Sequence, residues 1–522
     1  MLKCFARLFV AIGTMFTANL FAQHPNIMLG NMRNPNEPSI AMDIKNPQRM
    51  IVGANNDNYF ISNDGGYSWQ QSRLFSSTLG VWGDPCVVID TLGNFYFFHL
   101  SNPPGPAFID QIVCQKSTDN GATWNNGKGI GFVQGKNQDK EWAVVDRSNN
   151  HLYVAWTQFD TYGSTNPADS SIICFSRSED LGESWSSPIR LNRMAGDCMD
   201  SDNTVEGATP AIGPQGEIYV SWARPEGIRF NRSSDGGLTW LENDIGVNEM
   251  PGGWDFGIPG IYRANGFPVI GCDAGYSAYR GNIYINWSDQ RNGVNDTDIW
   301  FSRSADGGNT WSEPMRVNDD PPGNQQFFNW MSVDQITGYI WIVFYDRRNH
   351  SDWQTDVYGA VSKDGGDSFT NFKISDAPFL PNPNIFFGDY NNITAHNNIV
   401  RPVWTRLHND ELSIYTAIID TAMVAVPVTE HSLSQAAMNV HPNPFTQSVS
   451  ISFKLIQPSM VNLTIYDLTG RRMLNQIPMQ WMDAGKYVEK FDAARYLLKA
   501  GVYVAELSIN GNIQTYKLIY LP

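Results

Sequence analysis

Charge is scarce in this sequence, and what there is leans one way. Of 522 residues only 17% are charged, with 36 Lys and Arg against 52 Asp and Glu and a formal net charge of −16. So little charge excludes a coiled coil and a solvated disordered chain. The negative sign sets the surface against phosphate backbones, so nucleic acid is not an expected partner. Cysteine is scarce as well. Cys4 lies in the N-terminal segment, and Cys86, Cys114, Cys174, Cys198 and Cys272 are widely spaced, odd in number and without a CxxC pair. At least one thiol therefore stays free or pairs elsewhere. Cys86, Cys114 and Cys174 fall inside strand patterns and read as small apolar residues. The eight histidines show no metal-ligand spacing. Past the N-terminus no apolar run approaches the ~20 residues that a spanning helix needs, so no transmembrane segment is expected.

The one long apolar run opens the chain. Lys3 and Arg7 are followed by LFVAIGTMFTANLFA, which ends at Ala22. Charge, apolar stretch and small residue in that order predict a cleaved secretory signal over residues 1–22. Export makes the environment calcium-rich and disulfide-permissive.

Tryptophan and glycine are abundant, 17 and 45 residues, and aromatics reach 13%. That composition points to an all-β protein with many tight turns. A motif S-x-D-x-G-x-[ST]-[WF] recurs six times, as SNDGGYSW from Ser62, STDNGATW from Ser117, SEDLGESW from Ser178, SSDGGLTW from Ser233, SADGGNTW from Ser304 and SKDGGDSF from Ser362. In each, the Asp is placed to accept backbone N–H groups of a turn, and the Gly two residues on tolerates positive φ. Between the motifs runs a second repeat, two apolar strands around a short turn. Examples are DPCVVIDTLGNFYFFHL, EWAVVDRSNNHLYVAW and ATPAIGPQGEIYVSW. It occurs seven times. Four strands per ~60 residues, radially repeated, are the signature of propeller blades, so seven are expected, with six, the motif count, as the alternative.

The motif is the Asp-box, or bacterial neuraminidase repeat, and residues 23–425 resemble the sialidase-like superfamily of Asp-box propellers. After a polar stretch at 426–437, read as a linker, the chain changes character. The PNPF at Pro442–Phe445, IYDLTGRR at Ile465–Arg472, GVYV at Gly501–Val504 and the strand holding Lys517 resemble the type A C-terminal sorting domain of the Bacteroidetes type IX secretion system. Residues 438–522 are therefore expected to form a small Ig-like β-sandwich that engages the secretion machinery and takes the protein to the cell surface or beyond.

Strand direction puts box turns and inner-hairpin turns at one end of each blade, so a ligand site is expected at the other. There the sequence offers carboxylates at Glu37, Asp84, Glu141, Glu206, Asp273 and Asp389, interleaved with arginines. The resemblance to sialidases implies an arginine clamp, a Tyr nucleophile paired with Glu, and an Asp acid/base. Arg224, Arg291 and Arg347 are candidates for the clamp, Tyr345 for the nucleophile, Glu206 for its partner and Asp84 for the acid/base. Arg406 and His99 are further candidate ligand contacts, and His99 could serve a lyase as base. One departure counts against true sialidase activity. The family's F-R-I-P stretch is here Pro35-Asn36-Glu37-Pro38, without the arginine. The expected function is glycan-directed and exo-glycosidase-like, with a glycan or glycoprotein ligand. A non-catalytic binding propeller is the alternative, and a polysaccharide lyase or an envelope assembly factor stands behind it. No cofactor is required by this reading. Structural Ca²⁺ is the one metal candidate, at Asp197, Asp200 and Asp202 in DCMDSDN, an oxygen-rich loop.

Overall fold

The computed structural model describes residues 24–421, 424, 438–455, 458–467, 471–493, 495–496, 498–509 and 512–522. The signal expected at 1–22 and the linker expected at 426–437 lie outside the described residues. The chain divides into two units, 1–426 and 427–522. All regular structure among the described residues is β.

In the first unit, seven four-stranded antiparallel sheets surround a common axis. Their inner strands are Ser39–Met42, Cys86–Ile89, Asn137–Asp146, Glu206–Ile212, Val269–Cys272, Gln326–Val333 and Asn392–His396, which number the blades one to seven. Inner strands of successive blades abut, and that of blade seven abuts that of blade one. Blade seven borrows its outermost strand from the N-terminus, where Asn26–Gly30 pairs with Glu411–Ala417. Backbone hydrogen bonds thus close the ring. The count is seven, and the six-blade alternative falls away because the sheet without a box is complete.

Second strands such as Ile218–Arg224, Ile283–Asp289 and Ile340–Asp346 are buried at every position, because neighbouring blades cover both faces. Each carries large apolar residues, and Trp156, Trp222, Trp287, Trp341 and Trp404 are fully enclosed. This burial is the main driving force for the ring.

The six motifs form six equivalent turns. In each, the serine hydroxyl donates to the aspartate (2.7–2.9 Å) and accepts the N–H of the second glycine-position residue, as Ser304 does for Gly308 at 2.8 Å. The aspartate also accepts the N–H and hydroxyl of the following Ser or Thr. Those bonds from Thr123, Thr239 and Thr310 hold Asp119, Asp235 and Asp306 down at about 2. Arginines of neighbouring blades pin the turns. Arg177, Arg303 and Arg401 each donate at 2.8 Å to the carbonyl of Gly236, Gly365 and Gly65, and Arg232 does the same for Gly307.

In the second unit, Asn439–His441, Ser448–Leu455 and Gly485–Asp492 form one sheet. Ser459–Asp467, Arg472–Met482, Gly501–Ile509 and Asn512–Tyr520 form the other. Val449, Ile451, Phe453 and Phe491 meet Val461, Leu463, Ile465, Leu507 and Leu518 in one core, a small β-sandwich.

Candidate functional site

The end of the ring opposite the boxes is built from one recurring backbone position. Six residues before the hairpin turn that ends each inner strand stand Glu37, Asp84, Lys140, Gly207, Phe267, Phe328 and Tyr390. Five of these seven have left-handed φ, between 50° and 70° once rounded: Glu37, Asp84, Lys140, Gly207 and Phe328. Antiparallel register slips beside three of them, at Asp139/Trp142, Glu206/Thr209 and Phe327/Trp330. Each slip is a bulge that re-aims side chains at the channel mouth.

Lys140 is the hub. Its ammonium is buried and pairs with Asp84 at 2.9 Å and Asp389 at 2.7 Å. Burial opposes its charge, but Asp389, Asp84 and Glu37 more than offset that and hold its pKa well above the ordinary value. Arg263 closes the network from above, on a strap over residues 247–268 whose strands Asp255–Phe256 and Ala264–Asn265 pair with each other. It chelates Asp389, with Nε at 2.7 Å, and reaches Asp200 at 3.4 Å. Burial works against ionisation of Asp389 too, yet Lys140 and Arg263 keep it well below the usual carboxylate range.

Below this network the channel is filled. Trp142 and Trp330, from blades three and six, meet at 4.1 Å between ring centroids, and Tyr390 packs on Trp142 at 5.0 Å. The cavity left beside Lys140, Trp142, Phe328 and Tyr390 is about 20 Å³. That is room for one or two waters and not for a sugar ring.

The expected catalytic and clamp residues do not converge here. Tyr345 is fully buried among Phe327, Phe379 and Phe387, where its hydroxyl donates to the Thr405 carbonyl at 2.9 Å. Burial pushes its pKa up, the reverse of what a nucleophile needs. Its expected partner Glu206 faces Asp200 and Asp139 instead. Asp84 is spent on Lys140 and accepts no other cation. Arg224 pairs with Glu226 at 2.5 Å. Arg291 lies on Asp289 at 2.6 Å and over the Trp300 ring at 4.3 Å. Arg406 pairs with Asp376 at 3.2 Å. Arg347 is buried against Thr355 (3.0 Å) and the Phe327 ring, with burial drawing its pKa down to about 10. The three clamp candidates thus stand in three separate contacts, and Arg406 in a fourth. His99 makes contacts of its own. Fully enclosed between the Leu100 carbonyl and Gln115, it has its pKa lowered by burial to about 4, and no ligand can reach it.

The three calcium candidates are engaged by separate partners. Asp197 caps Met199 and takes the Thr204 hydroxyl, Asp200 takes Tyr162 and Arg263, and Asp202 takes the Asp255 N–H. Among the described residues no group of three such side chains is placed to hold a metal. Asp273 ends the blade-five inner strand rather than opening it, so it lies at the box end, bonded to Gly275 and Ser277. Lys140 and Arg263 are the residues that the expected site lacked. Aligning DKEW with NEPS and GDPC would have found Lys140. Arg263 sits in an insertion with no counterpart in the other blades.

Comparison with known proteins decides the tail first. Residues 439–520 match the secretion system C-terminal sorting domain. The tail is a type IX secretion sorting domain. The protein is thus exported to the cell surface or outside, and no described helix is long and apolar enough to cross a membrane. No curated protein matches the chain. Among solved structures, a sialidase from the Hadza microbiome is similar at 14% identity, covering 72% of this chain and 75% of its own, with a TM-score of 0.42. A Trypanosoma rangeli sialidase bound to the inhibitor DANA gives 12%, 95%, 89% and 0.42. A family PL25 ulvan lyase bound to its oligosaccharide gives 13%, 75%, 95% and 0.46. Likeness at this level bears on none of the residues above.

Proposed function

We propose that the secreted propeller binds glycans on the face opposite the boxes without turning them over. The closed mouth carries this reading. A glycosidase or lyase needs a pocket that admits the reacting ring and a group free to move a proton. Here Trp142 and Trp330 fill the channel, and the buried carboxylates Asp84 and Asp389 beside them are tied to Lys140 and Arg263.

Around the mouth stand aromatic rings with exposed surface. Trp82 meets Phe108 edge to face at 4.9 Å. Tyr262 meets Phe386 at 5.9 Å, with the Arg263 guanidinium over the Phe386 ring at 5.0 Å. Trp353 and Tyr162 are also exposed on loops of this end. The negative faces of such rings attract the C–H groups of a pyranose, while neighbouring Asp and Arg side chains serve its hydroxyls. A glycan array probed with the mature protein tests the reading. Binding should weaken about tenfold in Trp82→Ala and in Tyr262→Ala, with the melting temperature held, as for truncated contact anchors. Binding unaffected by both substitutions would move the site elsewhere.

A further inference from the structure

Glu206 opens the blade-four inner strand, fully buried, and neither of its carboxylate oxygens meets a hydrogen-bond donor. What it faces is a second acceptor, the Asp200 carboxylate, close enough to hydrogen-bond once a proton lies between them. Two ionised carboxylates at that separation repel, whereas one shared proton turns the repulsion into a strong hydrogen bond. The surroundings offer Glu206 no cation of its own. Blade three contributes Asp139, Glu141 and Lys140, but Lys140 is taken by Asp84 and Asp389. The strap contributes Asp255 and Arg263, and Arg263 is chelated by Asp389 while touching Asp200. Tyr162 donates its hydroxyl to Asp200 at 2.5 Å, and Glu37 stands behind Asp389. Eight acids, Glu37, Asp84, Asp139, Glu141, Asp200, Glu206, Asp255 and Asp389, thus face two bases.

The two members of the pair differ in freedom. Glu206 is fixed in a strand, while Asp200 sits in the 193–204 loop in a left-handed conformation, φ 57°. The same loop carries the strap, since Asp202 accepts the Asp255 N–H at 2.8 Å and the Thr204 carbonyl accepts Trp254 Nε1 at 3.2 Å. We propose that Glu206 holds a proton at neutral pH and donates it to Asp200, latching the 193–204 loop onto the channel mouth, and that the latch opens as that proton passes to solvent at higher pH. Burial first, and Asp200 second, raise the Glu206 carboxyl well above its ordinary value, in the direction the latch requires. The closed loop then loses stability as pH climbs from the ordinary carboxylate value towards the raised one. The latch stands whether or not the face binds a glycan.

Hydrogen exchange on the full chain, corrected for intrinsic pH dependence, tests it between about pH 5 and about pH 9. Protection of residues 193–204 should fall about tenfold or more in the wild type. It should stay flat in Glu206→Gln, whose amide donates to Asp200 at every pH, and in Asp200→Asn, which supplies the donor from the other side. A second readout uses the infrared carbonyl stretch of protonated carboxyls. The wild type at neutral pH should show a component that is missing from Glu206→Gln and bleaches over the range in which the loop loosens. Wild-type loop protection that ignores pH, variants that follow the wild type, or no Glu206-dependent protonated carboxyl at neutral pH would each overturn the latch. Should one variant fail to fold, the other and the wild-type infrared titration decide.

Discussion

Tyr345 both donates to the Thr405 carbonyl and accepts the Thr405 N–H, at 2.9 and 3.0 Å, tying blade six to blade seven inside an aromatic cluster. Replacing it by Phe strands a buried backbone donor. Tyr345→Phe should therefore cost about 1–3 kcal/mol in denaturant unfolding and leave ligand binding unchanged. Arg291 makes the same kind of case for charge. Asp289 beneath it is fully buried, so Arg291→Ala leaves a carboxylate that keeps the Trp287 Nε1 and residue-291 backbone N–H bonds but loses its cation. The expected cost is about 3 kcal/mol, read as an early melt, with glycan binding preserved in the molecules still folded. Residue type drew attention to both positions from the sequence, and their burial was not legible there. A second strand covered by blades on both sides hides all its residues, so period-two alternation gives no inward and outward sets to tell a tyrosine in the core from one in a cleft.

At the scale of the element, the six box turns were legible to the residue, because each Ser, Asp, Gly and Ser/Thr does one local job that needs no distant partner. The seventh blade was legible too, through its inner hairpin, although its fourth strand comes from residues 26–30, nearly 400 positions away in sequence. The register of the mouth was less so. Reading Asp273 as the start of a strand misplaced it by the length of that strand, and the left-handed backbone at the start of the inner strands is a feature that four different residue types share with one glycine. That glycine offers a test. Gly207 has φ +70°, and a Cβ there would meet the Phe267 ring at 2.5 Å. Gly207→Ala should lower stability by about 1–3 kcal/mol, more than the backbone term alone, because ring and backbone must both shift.

For the molecule as a whole, two sets of carboxyls pull stability in opposite directions with pH. The box aspartates have folded pKa values near 2 for Asp119, Asp235 and Asp306, so what they contribute is present above the ordinary carboxylate range and is lost as pH falls through it towards 2. Glu37, Asp139, Glu141 and Glu206 are raised, by burial first, so the folded state holds their protons longer than the unfolded one and loses stability as pH rises above about 4–5. Melting temperature should therefore peak in mildly acidic buffer and fall on both sides. A profile that rises steadily to neutral pH and stays flat beyond would show the mouth carboxyls ionised without cost. The central claim, a secreted propeller whose mouth is closed to chemistry, is tested most directly by incubating the purified mature protein with a broad glycan panel and assaying both released reducing ends and unsaturated products. The account predicts ligands bound and no product above background. Turnover of any glycan, lost on replacing Lys140 or Asp389 in protein that remains folded, would contradict it.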